Sequence, residues 1–200
     1  MKRWLALFLI CSMILQSIAS FAATTETKTF DYTVLEKYPG YNYDKFYKSW
    51  VYIGSYSKKF AEAIINVGIN LSDDKASGTL SPFLFVQAIN ASGKSVYVPT
   101  DIAFLVDDKV YTYSNLFESG NQYGVFLGNI GKQMIEDIAN ARKISIEITF
   151  SIGALPLDPT MEELLEFITI CKNLVKHNIW DYVGDNFETN FDTYFEACRL

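Results

Sequence analysis

Few residues of this chain have the types and spacing that catalysis or metal binding requires. His177 is the only histidine, so a serine or cysteine nucleophile would depend on it for activation. It stands between Lys176 and Asn178 at the predicted end of a helix, where a cationic cap on the helix dipole explains it without catalysis. The chain has no Gly-x-Ser-x-Gly sequence and no CxxC or HxxxH spacing. We therefore predict no nucleophilic site, no metal site and no cofactor.

Paired carboxylates are the catalytic chemistry that the composition leaves open, because glycoside hydrolysis needs no histidine. Adjacent acidic residues occur as Asp73-Asp74, Asp107-Asp108 and Glu162-Glu163. Two of these pairs fall in predicted turns and the third in the first turn of a predicted helix, where acidic residues are favoured. A carboxylate-based secreted hydrolase is therefore the enzyme alternative to a binding role.

A stretch rich in tyrosine and tryptophan at residues 38–56 is the strongest candidate for a binding surface. Aromatic rings bury a large area at low conformational cost and keep a polar group, so they suit contact with a protein or a glycan partner. The alternative is that alternate residues of a strand here pack into the core. The rings predicted to form an aromatic patch are Tyr38, Tyr41, Tyr43, Tyr47, Trp50 and Tyr52.

Residues 1–22 have the three-part layout of a secretory signal peptide. A positively charged start precedes an almost uncharged apolar run at 4–18, and small residues lead to a cut between Ala22 and Ala23. The apolar run is short for a membrane-spanning helix. We expect export to the periplasm, the cell envelope or the medium of a bacterium, as one domain of residues 23–200. An uncleaved signal anchor is the alternative.

The composition is acidic, which excludes several classes of partner. The full chain has a net charge of −6, and the leader would remove two further positive charges with Lys2 and Arg3. Affinity for nucleic acid rests on Lys and Arg that neutralise phosphates, so we expect no nucleic-acid binding. Anionic lipid surfaces offer such a chain no attraction. Half of the residues are apolar, enough for one sizeable core.

Export also bears on the two cysteines beyond the leader, Cys171 and Cys198. A lone pair of cysteines commonly forms a disulfide in an oxidising compartment. A Cys171–Cys198 bridge would stabilise the fold by about 3 kcal/mol in the loop-entropy account. The alternative is two free, buried thiols.

Short runs of β-favouring residues separated by turns fill the middle of the chain. Residues 143–150 alternate between apolar and polar side chains and give the cleanest half-buried strand. Strands of this kind favour an antiparallel sheet or sandwich over a parallel core. The predicted strands lie at 46–57, 64–71, 83–89, 95–98, 102–106, 110–113, 123–127 and 143–150.

Helical patterns follow these strands. Met134, Ile135 and Ile138 belong to one apolar stripe at helical spacing. Thr160 to Glu163 fits a capping box, and the helix that follows is expected to bury an apolar stripe. The predicted members of that stripe are Met161, Leu164, Leu165, Ile168, Cys171 and Val175. A last helix is expected to open near Asp185, with Phe187, Phe191, Tyr194, Phe195 and Cys198 on one face. The predicted fold class is α+β, an antiparallel sheet or sandwich of about seven to nine strands with two or three mainly C-terminal helices.

The order of features from the Asp107-Asp108-Lys109 turn onward is similar to that of small exported bacterial proteins of the invasion-associated locus B type. A short helix at 128–142, the alternating strand at 143–150 and a helix that contains Cys171 follow this turn. The resemblance covers about half of the exported chain and implies a non-enzymatic envelope or secreted β-sandwich with helical additions. It transfers no functional residues. The tyrosine-rich segment and the last helix lie outside the pattern.

Together these features predict an exported, non-enzymatic binding or envelope-associated module. The enzyme alternative is the carboxylate hydrolase. A third possibility is assembly, in which a sheet edge beside the aromatic stretch pairs with another copy or with a strand of a partner.

Overall fold

Antiparallel strand pairing dominates the structure, a computed structural model that describes residues 29–74 and 79–183. The strands are β1 (Tyr41–Asp44), β2 (Ser49–Phe60), β3 (Ala63–Asp74), β4 (Thr79–Ile89), β5 (Pro99–Val106), β6 (Lys109–Ser114), β7 (Phe117–Ser119), β8 (Gln122–Phe126), β9 (Ile144–Phe150) and β10 (Gly153–Leu157). The α-helices are α1 (Asn129–Asn140) and α2 (Leu165–Lys176), and two 3-10 helices span Tyr32–Leu35 and Ile179–Asp181.

The strands form two sheets. One has six strands in the order β1-β2-β3-β4-β8-β7, and the other has four in the order β10-β9-β5-β6. All the pairings between named strands are antiparallel. The long strands β2, β3 and β4 form the middle of the larger sheet. Buried and less buried residues alternate along most of β2 and β3, whereas β4 is buried along most of its length.

Helix α2 packs on one face of the six-stranded sheet, at Gly54 of β2. Gly54 pairs with Ile69, so the two residues point to the same face. A Cβ atom at Gly54 would lie 2.7 Å from the Glu166 carbonyl oxygen and 2.7 Å from a methyl group of Ile170. Only glycine therefore permits this close approach between the helix and the strand.

The same helix also contacts the four-stranded sheet. The ring of Phe167 stacks on Phe104 of β5 with ring centroids 5.9 Å apart. Alternate residues of β9 point into the core, as its sequence predicts. Because α2 touches both sheets, one continuous cluster of buried apolar residues holds the fold together.

Two local predictions about the helices are confirmed. Met134, Ile135 and Ile138 of α1 are buried. The capping box is present, since the Glu163 carboxylate accepts from the Thr160 amide at 2.8 Å and the Thr160 hydroxyl accepts from the Glu163 amide at 3.2 Å. These two bonds satisfy amides at the turn that leads into α2.

The predicted inward stripe of α2 is partly wrong. Leu165 is exposed, and Met161 and Val175 are only half-buried. The helix packs against two sheets, so its buried surface is wider than one stripe and is rotated toward Phe167 and Ile170. The buried apolar residues from 164 onward are Leu164, Phe167, Ile168, Ile170, Cys171 and Leu174.

The α+β class and the antiparallel pairing are confirmed, with two differences from the sequence prediction. The described ranges contain ten strands rather than seven to nine, because β1, β7 and β10 are too short to show a clear alternation. The predicted strand at 95–98 is wrong, because this segment makes only an isolated bridge between Ser95 and Ile89. Helix α1 lies between β8 and β9, where its apolar stripe predicts it. The predicted helix near Asp185 and the leader lie outside the described residues. Neither helix in the described ranges has the length and apolar character needed to cross a membrane.

The predicted Cys171–Cys198 bridge is not seen in the described part of the chain. Cys171 is a free thiol there, fully buried on the inner side of α2, and Cys198 lies outside the described residues. Burial in apolar surroundings raises the pKa of the Cys171 thiol, which keeps it protonated and unreactive.

Candidate binding surface

Two of the six rings predicted to form an aromatic patch are core residues. Trp50 is 4% exposed and Tyr52 is 1% exposed. Strand alternation places both on the face that carries Gly54, where α2 packs. The Tyr52 hydroxyl accepts a hydrogen bond from the Asn173 amide of α2 at 2.8 Å, while burial raises the pKa of Tyr52. For these two rings, the alternative of core packing is the one that the structure shows.

Tyr41 and Tyr43 of β1 lie at the rim of the same face and are half-buried. They pair with Tyr52 and Trp50 respectively, which fixes their direction. Tyr32, from the first 3-10 helix, stacks on both Tyr43 and Trp50 with centroid distances of 5.7 Å. A hydrogen bond with Tyr43 is the main reason that the pKa of Tyr32 is raised. This stack continues the core to the sheet edge, where the three tyrosines are partly buried.

The exposed aromatic side chains of this region lie in the turn between β1 and β2. This turn, residues 45–48, is called the hairpin tip below. Phe46 is 96% exposed and Tyr47 is 74% exposed. A carboxylate oxygen of Asp44 accepts from the backbone amides of Phe46 at 2.8 Å and Tyr47 at 3.0 Å. This local turn fixes the backbone that presents the two rings.

The hairpin tip also carries a lysine on each side of the two rings, Lys45 and Lys48. Lys48 has a positive φ of 50°, which closes the turn into β2. The sequence predicts Tyr47 as a member of the aromatic patch, whereas it predicts Phe46 only as part of a strand at 46–57. The sequence signal for this turn is Asp44, which comes two residues before the aromatic pair. An aspartate side chain commonly accepts a hydrogen bond from the backbone two residues further along the chain.

Tyr38, the remaining predicted ring, lies apart from the hairpin tip, against the end of α2. Its hydroxyl is 3.4 Å from His177 Nε2 and 3.5 Å from the Lys176 amine. The Lys37 amine lies over the Tyr38 ring, 5.3 Å from its centroid. We call these four residues the basic corner. The predicted aromatic patch is therefore divided among the core, the hairpin tip and the basic corner.

His177 lies at the end of α2, as predicted, but a positive charge on its side chain is not what caps the helix. Its backbone amide donates to the Asn173 carbonyl at 3.0 Å. Burial, followed by the charges of Lys176 and Lys37, lowers the pKa of His177. The imidazole is therefore neutral near pH 7, and the cap is made by the backbone.

Asp107 and Glu163, each from one of the acidic pairs, have structural roles in separate parts of the fold. One Asp107 oxygen accepts from the backbone amides of Arg142 and Lys143 at 3.1 and 2.9 Å. Glu163 completes the capping box and forms an ion pair with Lys58 at 3.1 Å. Asp73 and Asp74 end β3. The contacts of Asp107 and Glu163 are thus those of a turn and a helix cap.

A groove of about 630 Å³ runs beside β7 and β8. Its lining is mostly apolar and contains one carboxylate, that of Glu118. Hydrolysis by paired carboxylates requires two, so the groove does not provide this chemistry. The lining residues are Val98, Pro99, Thr100, Asn115, Leu116, Phe117, Glu118 and Tyr123.

The sheet edges differ in how open they are to pairing. In the larger sheet the edge strands β1 and β7 have four and three residues. Edge strand β10 of the smaller sheet contains Pro156, which cannot donate to a ladder. Edge strand β6 has six residues and an exposed Val110. The edge beside the aromatic stretch is thus one of the short ones.

Comparisons with known proteins add no family to these observations. No protein-family model, no curated protein and no solved structure matches this chain. The similarity to the invasion-associated locus B type stays a prediction from the sequence. Within residues 29–74 and 79–183, no group of three or more His, Cys, Asp or Glu side chains is arranged to hold a metal ion.

Proposed function

We propose that the protein is an exported, non-enzymatic binding module that contacts a protein or glycan partner through the hairpin tip. The signal-peptide layout of residues 1–22 supports export to the periplasm, the cell envelope or the medium. We also propose that the two sheets, both of which contact α2, are arranged as a sandwich. The rigid sheet then acts as the support for a small contact surface at one end of β1 and β2.

The exposure of Phe46 is the observation that carries the proposal. A phenylalanine that is 96% exposed loses the free energy of burial, about 1.5–3 kcal/mol, that it would gain in a core. The Asp44 turn fixes the backbone at this position, so the ring is presented rather than left on a loose segment. Aromatic residues of this kind commonly dominate the energy of a binding interface.

Binding assays on two variants test the proposal. Replacement of Phe46 and Tyr47 by serine removes both rings and leaves the Asp44 turn in place. Val110→Ser is the matched control, because Val110 is also exposed and apolar but lies on β6. The probes are purified peptidoglycan, a glycan array and a solubilised envelope fraction.

We expect the hairpin-tip variant to bind at least 30-fold more weakly than the unchanged protein, since a single interface hot spot contributes about 2 kcal/mol, or roughly 30-fold. The Val110→Ser control should bind as the unchanged protein does. Equal binding by the hairpin-tip variant and the unchanged protein would contradict the proposal. Both variants change only exposed side chains, so their folding should be unaffected.

A second candidate is strand addition at β1. In the described part of the sheet, β1 pairs with β2 on one side only, and its free edge is continuous with the hairpin tip. A partner strand that pairs there would also contact Phe46 and Tyr47. The Ile53 amide donates to the Gly40 carbonyl, so antiparallel alternation directs the Asn42 amide to β2 and the Tyr43 amide to the free edge. Slower hydrogen exchange of the Tyr43 amide when a partner binds would support strand addition, and unchanged exchange would count against it.

A further inference from the structure

The basic corner concentrates positive charge in an otherwise acidic protein. The chain has 23 acidic and 17 basic residues apart from its histidine. Three ion pairs occur in the described ranges, and none involves Lys37 or Lys176. Both amines contact Tyr38, that of Lys176 at the hydroxyl and that of Lys37 over the ring. This local excess of positive charge has no carboxylate partner among the described residues that contact it.

The Tyr38 hydroxyl lies at the centre of this group. The Lys176 amine donates to the phenol oxygen at 3.5 Å, so the phenol hydrogen can donate elsewhere. His177 Nε2 is 3.4 Å away, at the long end of hydrogen-bond distances. The Lys176 ammonium and the Tyr38 hydroxyl can therefore both donate to an acceptor placed beside them, and the Lys37 ammonium lies over the same ring.

The two lysines of the basic corner also act on His177. Burial is the largest cause of its lowered pKa, and the two charged groups that add to the effect are Lys176 and Lys37. A nearby carboxylate would act in the opposite direction. Both lysines therefore disfavour the imidazolium form of His177 when no anion is bound.

The end of α2 does not account for both lysines. A helix C-terminus attracts cations through its unsatisfied carbonyls. Here the carbonyl of Asn173 accepts from the His177 amide at 3.0 Å, and that of Val175 accepts from the Asn178 amide at 3.1 Å. Lys37 comes from a different segment, just after the 3-10 helix Tyr32–Leu35.

We propose that the basic corner is a binding site for an oxyanion of the sulfate or phosphate type, held by the Lys37 and Lys176 ammonium groups and the Tyr38 hydroxyl. A tetrahedral oxyanion has several acceptor oxygens, which suits convergent donors from different segments. The anion is either a free ion or a group carried by a larger ligand, such as a sulfated or phosphorylated sugar. The proposal does not depend on the hairpin tip.

The single histidine makes the test direct, because His177 gives the only imidazole signals of the chain in an NMR spectrum. The experiment follows these signals against pH in sodium sulfate and in sodium chloride at equal ionic strength. A bound anion within about 4–6 Å favours the imidazolium, so the pKa of His177 should rise by about 1 in sulfate. An identical titration in the two salts would overturn the proposal.

Three substitutions connect this effect to the named residues. Lys37→Gln and Lys176→Gln should each remove most of the sulfate-specific rise, while Lys59→Gln, an exposed lysine elsewhere on β2, should leave it unchanged. All three substitutions are at exposed side chains, so the fold should be retained. A sulfate effect that persists in both basic-corner variants would assign the anion to another place and overturn the proposal.

A second arm distinguishes the two sources of the anion. Glucose 6-sulfate replaces inorganic sulfate in the same titration at the same concentration. A larger rise in the pKa of His177 with the sugar sulfate would support a group carried by a larger ligand. An equal or smaller rise that still exceeds the chloride value would support a free ion, and no rise with either compound would overturn the site itself.

Discussion

The hydrogen bond between Tyr52 and Asn173 offers a quantitative test of the core assignment. Tyr52 comes from the aromatic stretch that the sequence suggests as a binding surface, yet it is 1% exposed and its hydroxyl accepts from the buried Asn173 amide at 2.8 Å. Removing either partner leaves a buried polar group unsatisfied, which costs about 1–3 kcal/mol. We expect Tyr52→Phe and Asn173→Leu each to reduce the free energy of unfolding by that amount.

The double variant separates this bond from other effects. With both polar groups replaced by apolar ones no group is left unsatisfied, so the loss should be smaller than the sum of the single losses by about 1–2 kcal/mol. Urea denaturation followed by tryptophan fluorescence measures the three values. Tyr97→Phe, which keeps a half-buried ring in contact with Phe150, is the control and should change stability by less than about 0.5 kcal/mol. Strictly additive losses would refute the assignment.

Three further predictions follow from the packing and the charges. Gly54→Ala should reduce the free energy of unfolding by about 1–3 kcal/mol, because the added Cβ would be 2.7 Å from the Glu166 carbonyl oxygen. Ser55→Ala, on the opposite face of β2, is the control and should have little effect. Equal stability of the two variants in urea would contradict the contact between Gly54 and α2. Folding lowers the pKa of His177, so the unfolded state binds more protons and the free energy of unfolding should rise with pH. This contribution of His177 to stability is complete above its unfolded pKa of about 6.5 and is lost as the pH falls through its folded pKa. Between pH 5 and 7, the free energy of unfolding should rise less steeply with pH in His177→Gln than in the unchanged protein. An equal slope in the two proteins would contradict the lowered pKa of His177. Cys171 should resist alkylation in the native protein and react in denaturant without a reductant, as read by intact mass; reaction only after reduction would instead establish a disulfide.

The sequence predicts local features of this fold well, because they depend on neighbouring residues alone. The alternation along β9 follows from the two-residue period of a strand, and the Thr160 capping box is made within four residues. The stripe of Met134, Ile135 and Ile138 follows from the period of a helix. The structure confirms each of these features, and each can be predicted from a short stretch of sequence.

Features that depend on distant contacts were predicted less well. Helical spacing suggests that Leu165 points inward, but contact with two sheets turns α2 so that Phe167 and Ile170 are buried instead. Likewise, composition alone does not separate the exposed Phe46 from the buried Trp50, which are four residues apart. The register of β1 on β2 and the turn at Asp44 make that difference, and both require the three-dimensional pairing.

The basic corner illustrates the same point for a site. The sequence shows Lys37-Tyr38 and Lys176-His177 as two ordinary pairs about 140 positions apart. Folding brings the Tyr38 hydroxyl within 3.5 Å of both His177 and Lys176. No local pattern predicts this contact, because it follows from the packing of the chain before β1 against the end of α2.

Photo-crosslinking from the hairpin tip tests the central claim most directly. A photoreactive benzoylphenylalanine at position 46 keeps an aromatic side chain there, and the same residue at position 110 on β6 is the control. In cells that export the protein, we expect irradiation to trap a discrete adduct with a protein or a glycan from position 46 and none of the same mass from position 110. The same adducts from both positions, or none from position 46, would contradict a partner-binding role for Phe46.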